Sequence, residues 1–179
     1  GSPSYPVTVN PSPAAAGTIT GPASVCTGAT GISYSVPAIA NATSYTWTVP
    51  TGVTITSGAT TNHIVVTILA APSTGIITVR EINTCGNGNV SPTFNLAINA
   101  IPAAPVVTVN GNVFTSSASA GNQWYYEGTG AIAGATAQVY TANITGWYWC
   151  VVTVNGCPSP ESNHVYVVFT GQQEMQNSN

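Results

Sequence analysis

The chain has 179 residues, 44% of them apolar but only 3% charged, and a formal net charge of -3. One basic residue (Arg80), no lysine, no aspartate and four glutamates (Glu81, Glu127, Glu161, Glu174) exclude nucleic-acid binding, which needs many cations, and EF-hand calcium loops, which need aspartates. No window reaches the ~18 apolar residues of a membrane span, so membrane insertion is not expected, and the first residues lack a basic and then apolar leader.

Read in chain order, short β-rich runs alternate with turn clusters. Residues 5–9 (YPVTV) read as a strand with Tyr5, Val7 and Val9 on one face, followed by a stiff Pro/Ala linker. Then come 32–36 (ISYSV), 44–49 (SYTWTV), 63–69 (HIVVTIL), 76–82 (IITVREI) and 94–98 (FNLAI). Residues 106–109, 113–115, 123–126, 147–154 and 165–169 continue the series, with Gly, Pro, Asn and Ser between them. Period-two alternation marks half-buried strands, and many of them at close spacing mark a sandwich. The expectation is an all-β chain with essentially no helix. Trp47 and Trp124 are the expected core aromatics.

An internal repeat sets the boundaries. YPVTVNPSPAAAG from Tyr5 aligns with FNLAINAIPAAPV from Phe94, each a strand followed by a Pro/Ala linker. The second copy closes a domain, so the first reads as the end of a preceding repeat. The expected organisation is 1–17 as last strand and linker of a preceding repeat, 18–100 and 105–170 as two tandem β-sandwiches, 101–104 as linker and 171–179 as a C-terminal linker. A lone first strand exposes unpaired N–H and C=O groups, so residues 5–9 are a candidate donor strand for another copy of the chain.

Each domain holds two cysteines, and small sandwiches profit from a staple. The pairing expected in the first domain is Cys26–Cys85, with two unpaired buried thiols as the alternative. In the second, a two-residue turn at Asn155-Gly156 would leave Cys150 ~13 Å along the strand from the rung facing Cys157. A Cys150–Cys157 bridge therefore requires a wider loop, and with no other cysteine left over it is the pairing expected there. CxxxxxxC without a nearby His or Asp is a poor zinc signal, so no metal or cofactor is expected.

GPASVCTG (21–28), SYTWTVPTGVTITSG (44–58) and INTCGNG (82–88) resemble the PKD-like repeats of bacterial surface proteins. That resemblance implies the Cys26–Cys85 link as well. GNQWYYEG (121–128), IAGATAQVYT (132–141) and VNGCPSPESNHVYVVFTG (154–171) resemble the immunoglobulin-like domain that often precedes a type IX secretion sorting signal. This second resemblance implies an exported, cell-surface or released protein. VVTVNGNVF lacks the cysteine that some relatives carry on the first strand, which leaves the partner of Cys157 open.

In immunoglobulin-like sandwiches the G-x-Y-x-C spacing of residues 146–150 marks the F strand, with the Tyr hydroxyl turned to the backbone at a corner and the Cys in the core. With Tyr148, Cys150 and Val152 inward, alternation turns Trp147 and Trp149 outward, where Tyr125 of the neighbouring strand joins them. Such a group is an interface or a platform for a sugar ring, unless it packs under a loop or against the first domain. No catalytic residue is expected. Glu127 and Glu161 are solvated acids that nothing pairs, and His63 and His164 lie in separate domains with no Asp to orient them. The chain reads as a non-enzymatic structural or adhesive segment of an extracellular protein. Its expected partners are neighbouring domains, other copies of itself or surface polysaccharide. A carbohydrate-binding module or an accessory domain of a secreted enzyme is the alternative.

Overall fold

The computed structural model describes residues 3–6, 11–69 and 72–169. Among them, β-branched and aromatic residues at alternate positions form strands whose inward rows make two separate cores. The fold is an all-β sandwich, in two compact units of residues 1–100 and 101–179.

The first unit contains β1 (Ser24–Cys26), β2 (Ile32–Ser35), β3 (Ser44–Thr48), β4 (Val53–Ser57), β5 (His63–Ile68), β6 (Ser73–Asn83), β7 (Gly86–Asn87) and β8 (Phe94–Asn99). One sheet has the order β1-β8-β6-β3 with β7 on β6, and the other is β2-β5-β4. Among the described residues of this unit only the β1–β8 pair is parallel. Ile64, Val66 and Ile68 of β5 face Ile77 and Val79 of β6 and Leu96 and Ile98 of β8 across the core. Each such side chain contributes roughly 1.5–3 kcal/mol on burial. Trp47 is buried in this core, its indole N–H donating to the Thr61 carbonyl at 2.8 Å. Strands β1 and β4 were not picked out in the sequence. The first is three residues long, and the second is a short VTITS with two apolar residues.

Residues 11–17 do not behave as a free linker. Pro13, Ala16 and Ile19 are buried, one residue in three. That spacing fits an extended, Pro-rich segment with three residues per turn laid along the sandwich. Asn83 anchors it, its side-chain amide donating to the Pro11 carbonyl at 2.8 Å. Of the candidate donor strand, Tyr5 is 79% exposed and lies outside any strand, whereas Val7 and Val9 lie outside the described residues. The 171–179 linker also lies outside them.

The second unit contains β9 (Val107–Asn110), β10 (Val113–Ser116), β11 (Asn122–Tyr126), β12 (Gly130–Ala131), β13 (Val139–Thr141), β14 (Gly146–Val154), β15 (Cys157–Pro158) and β16 (Val165–Val167). Its sheets are β13-β10-β9 and β12-β11-β14-β15, with β16 also on β14. The core is aromatic. Phe114 packs on Trp124 and Tyr148, and Trp124 stacks on Tyr140. Trp124 is fully buried and donates its indole N–H to the Ala137 carbonyl at 2.9 Å.

Both expected cysteine pairings are corrected. Cys85 and Cys150 are free thiols, whereas Cys26 and Cys157 are disulfide-bonded. The first pairing fails because its cysteines lie at opposite ends of one sheet. Val25 is level with Ile98 and so with Ser73 at the start of β6, whereas Cys85 lies in the turn after Asn83 at its end. Ten residues of strand, about 33 Å, separate those levels. The second fails because Asn155 (φ 50°) and Gly156 (φ 80°) make a two-residue turn that sets Val154 opposite Cys157. Cys150 then stays four residues down β14, opposite Trp124.

Candidate functional site

The outer face of the sheet β11-β14-β16 carries the aromatic group. Along β14, Gly146, Tyr148, Cys150 and Val152 are buried, so Trp147 and Trp149 point outward. Tyr148 donates its hydroxyl to the Ile144 carbonyl at 2.9 Å, the corner bond that fixes the strand's entry. Burial pushes the Tyr148 phenol above its usual value, as it does the Cys150 thiol.

Tyr125 lies directly across from Trp149, the rings stacked with centroids 5.6 Å apart at 10°. On the other edge of β14, His164 stacks on the same indole at 4.8 Å and 10°. Glu161 Oε2 lies 2.9 Å from His164 Nε2, an exposed contact that contributes little stability by itself. Trp149 is therefore the middle ring of three, with a neighbour on each face. One rung along, Trp147 faces Tyr166 with centroids 5.0 Å apart and a tilt of 52°. These two rings are 44% and 49% exposed.

Of the three expected platform residues, Tyr125 and Trp149 thus spend their ring faces on each other. The open pair is Trp147 with Tyr166, and the second of these was not among the expected residues. The signal was present: Tyr166 lies between the inward positions 165 and 167 of an expected strand. Glu127 lies beside the open pair, its carboxylate accepting from the Trp147 backbone N–H at 3.1 Å. Gly146 is required here. Its φ is +150°, and a methyl group on it would lie 2.6 Å from the Tyr126 ring and 2.7 Å from the Glu127 carboxylate.

The other titratable residues are scattered. Glu127 and Glu161 are exposed, His63 lies on β5 of the first unit, and Arg80 is exposed on β6. Glu81, next to Arg80, is turned to the opposite face and fully buried. Among the described residues no group of three or more His, Cys, Asp or Glu could hold a metal ion, and no helix is long and apolar enough to cross a membrane.

In the first unit the Pro-rich segment lies over the end of β6. Its neighbours there are Gly88, with Pro13 and Ala14, and Gly86, with Ser12. Residues 12–96 match the family model of the PKD-like domain. The PKD-like match thus begins within the packed segment and takes in both sheets of the first unit. PKD-like domains are typically non-catalytic and commonly extracellular, and they fit a structural or adhesive module. The chain is similar to many solved structures, of which two serve as examples. The fibronectin(III)-like modules of Clostridium thermocellum CbhA share 14% identity over 90% of this chain and 99% of that one, with a TM-score of 0.48. The FN1–FN3 domains of chicken CNTN1 share 11% identity over 88% and 67%, with a TM-score of 0.47. No curated protein matches the chain.

Proposed function

We propose that the chain is a non-catalytic structural and adhesive segment of an extracellular bacterial surface protein, built of tandem β-sandwich domains over 18–100 and 105–170. The observation that carries this reading is the open Trp147–Tyr166 pair beside a closed stack of three rings. Exposed aromatics in a group mark contact surfaces, because they bury much apolar area with little entropy to lose. The PKD-like match supports the structural role, and the low charge leaves little repulsion between copies. Export by the type IX route belongs to the same reading. It rests on the sequence resemblance of residues 121–171.

Adhesion of the purified chain to its parent cell surface, in solid-phase and sedimentation formats, tests it. Trp147→Ala with Tyr166→Ala should reduce binding at least tenfold while leaving the unfolding midpoint within a few degrees. Undiminished binding by that variant overturns the role of this face.

A second reading is carbohydrate binding, favoured by the Glu127 carboxylate at the edge of the open pair. A sugar ring would stack on one indole or phenol face and donate a hydroxyl to the acid. Pull-down by insoluble polysaccharide that fails with the double variant supports it. Retention on none of a panel of polysaccharides sinks it.

Strand donation by Tyr5, Val7 and Val9 into a second copy gives a fibre, since head-to-tail contacts do not close. Its test is deletion of residues 1–10, which spares the packed residues 11–17. Filaments that persist in electron micrographs after that deletion overturn it.

A further inference from the structure

Glu81 occupies a core-facing position of β6, in line with Ile77 and Val79. It is fully buried, and no donor among the described residues reaches either carboxylate oxygen. A buried carboxylate is strongly unfavourable as an unpaired anion, and proteins answer by protonating it, pairing it with a cation or binding a metal. This chain has little to offer. It has no lysine, and its single arginine, Arg80, projects from the opposite face of the same strand.

The surroundings are oxygens. A methyl group placed on Gly88 would lie 2.7 Å from Glu81 Oε2, 3.1 Å from the Ala14 carbonyl oxygen and 3.3 Å from that of Pro13. Three oxygens, from two separate stretches of chain, thus lie together beside the Gly88 α-carbon. The framework around them is fixed. Gly88 N–H donates to the Glu81 carbonyl at 2.9 Å. Asn83 ties the incoming segment down through Pro11, and its amide also donates to the Asn41 carbonyl at 3.0 Å. Pro13 and Ala16, on either side of Ala14 along the chain, are buried.

We propose that the Glu81 carboxylate and the carbonyl oxygens of Pro13 and Ala14 form a binding site for a hard, oxygen-seeking divalent cation of the calcium class. The donor set is one anionic and two neutral oxygens, with water completing the shell. Calcium accepts such mixed oxygen ligands in irregular geometry, whereas magnesium demands a near-ideal octahedron and gives up water reluctantly. A single carboxylate gives weak binding, in the ~0.1–1 mM range of extracellular calcium modules. Bound there, the ion ties the Pro-rich segment to the end of β6, so the cation would brace the entry of the first unit. The proposal does not depend on the aromatic face.

The test uses the full chain, stripped of metal, with calcium chloride alone as the probe. About 10 mM calcium should raise the unfolding midpoint of the first unit by roughly 5 °C over sodium chloride of equal ionic strength. Magnesium should do less. Amide resonances of Ala14 and Gly88 should shift with the same saturation curve. Glu81→Gln should lose both responses, yet unfold in metal-free buffer within a few degrees of the native chain, because no hydrogen bond of the carboxylate is lost. Absence of both heat and amide shifts when the native chain is titrated to 10 mM calcium overturns the site without recourse to any variant. An undiminished calcium response in Glu81→Gln, or an equal response to sodium, overturns it as well.

Discussion

Cys150 lies where an immunoglobulin-like F strand keeps the second half of its inter-sheet bridge, opposite the buried Trp124. The facing strand β10 brings no cysteine to it. Ser116 of that strand is itself buried, and the Cys150 sulfur donates to Asn122 Oδ1 at 3.4 Å. Burial raises the Cys150 thiol, so the reactive thiolate is scarce as well as inaccessible. A maleimide should therefore label Cys85, which is exposed, within minutes in native buffer, and Cys150 only in denaturant. Ser116→Cys should remove the second labelled site by closing a bridge to Cys150. Closing that loop adds about 3–4 kcal/mol if the geometry relaxes without strain. Two labelled cysteines after denaturation of the variant, at positions 116 and 150, would show that the two sites are too far apart.

A buried serine performs the same task in each unit, and it explains what the strand pattern hid. After the β6–β7 hairpin, Ser91 takes over from the ladder: Val79 N–H donates to its Oγ at 3.1 Å, its own N–H returns to the Val79 carbonyl at 2.8 Å, and its Oγ donates to the Pro92 carbonyl at 3.0 Å. After the β14–β15 hairpin, Ser159 makes the matching set with Val152 and Pro160, at 3.0, 2.8 and 2.8 Å. The two-residue strands β7 and β15 are thereby extended without further β residues. Ser159→Ala strips the Val152 N–H of its partner inside the core and should cost about 1–3 kcal/mol, read as a lowered denaturant midpoint with unchanged slope. A loss below a few tenths of a kcal/mol would mean that water replaces the hydroxyl. Such pieces are too short for periodicity to reveal, and so are β1, β12 and β13. By contrast, the long rows of β5, β6 and β14 were legible, because a sheet with one dry face forces strict alternation. The outward turn of Trp147 and Trp149 followed from the same rule. What alternation cannot give is which ring covers which. That needed the register of Tyr125, His164 and Tyr166 against β14, and the cysteine pairings failed for the same reason: they depend on sheet order rather than on spacing.

At the scale of the whole chain, the scarcity of charge shifts the pH response to the alkaline side. With one exposed arginine and, among the described residues, a single close Glu–His contact, salt has little to screen, and stability should change little between low and moderate ionic strength. The buried phenols are a different matter. Tyr34, in the core of the first unit, donates its hydroxyl to the Pro22 carbonyl at 3.0 Å, and burial pushes its pKa from the usual 10.0 to about 12. Tyr148 in the second unit is raised in the same sense, again chiefly by burial. A raised pKa means that the folded chain holds its proton where the unfolded chain releases it. The unfolded state therefore binds fewer protons between the two values, and unfolding grows easier as pH rises. The stability that each phenol contributes is complete below pH 10 and is lost as pH climbs through the folded value. For Tyr34 the loss approaches roughly 3 kcal/mol, because each tenfold change in proton affinity between the folded and unfolded phenol is worth about 1.4 kcal/mol. Thermal midpoints of both units should hold steady up to about pH 9.5 and then fall together with the rise of tyrosinate absorbance, although the two cores share no residue. Tyr34→Phe removes the titrating group and keeps the ring, so it should flatten the alkaline decline of the first unit alone. If that decline keeps its slope in Tyr34→Phe, the alkaline transition belongs to other groups.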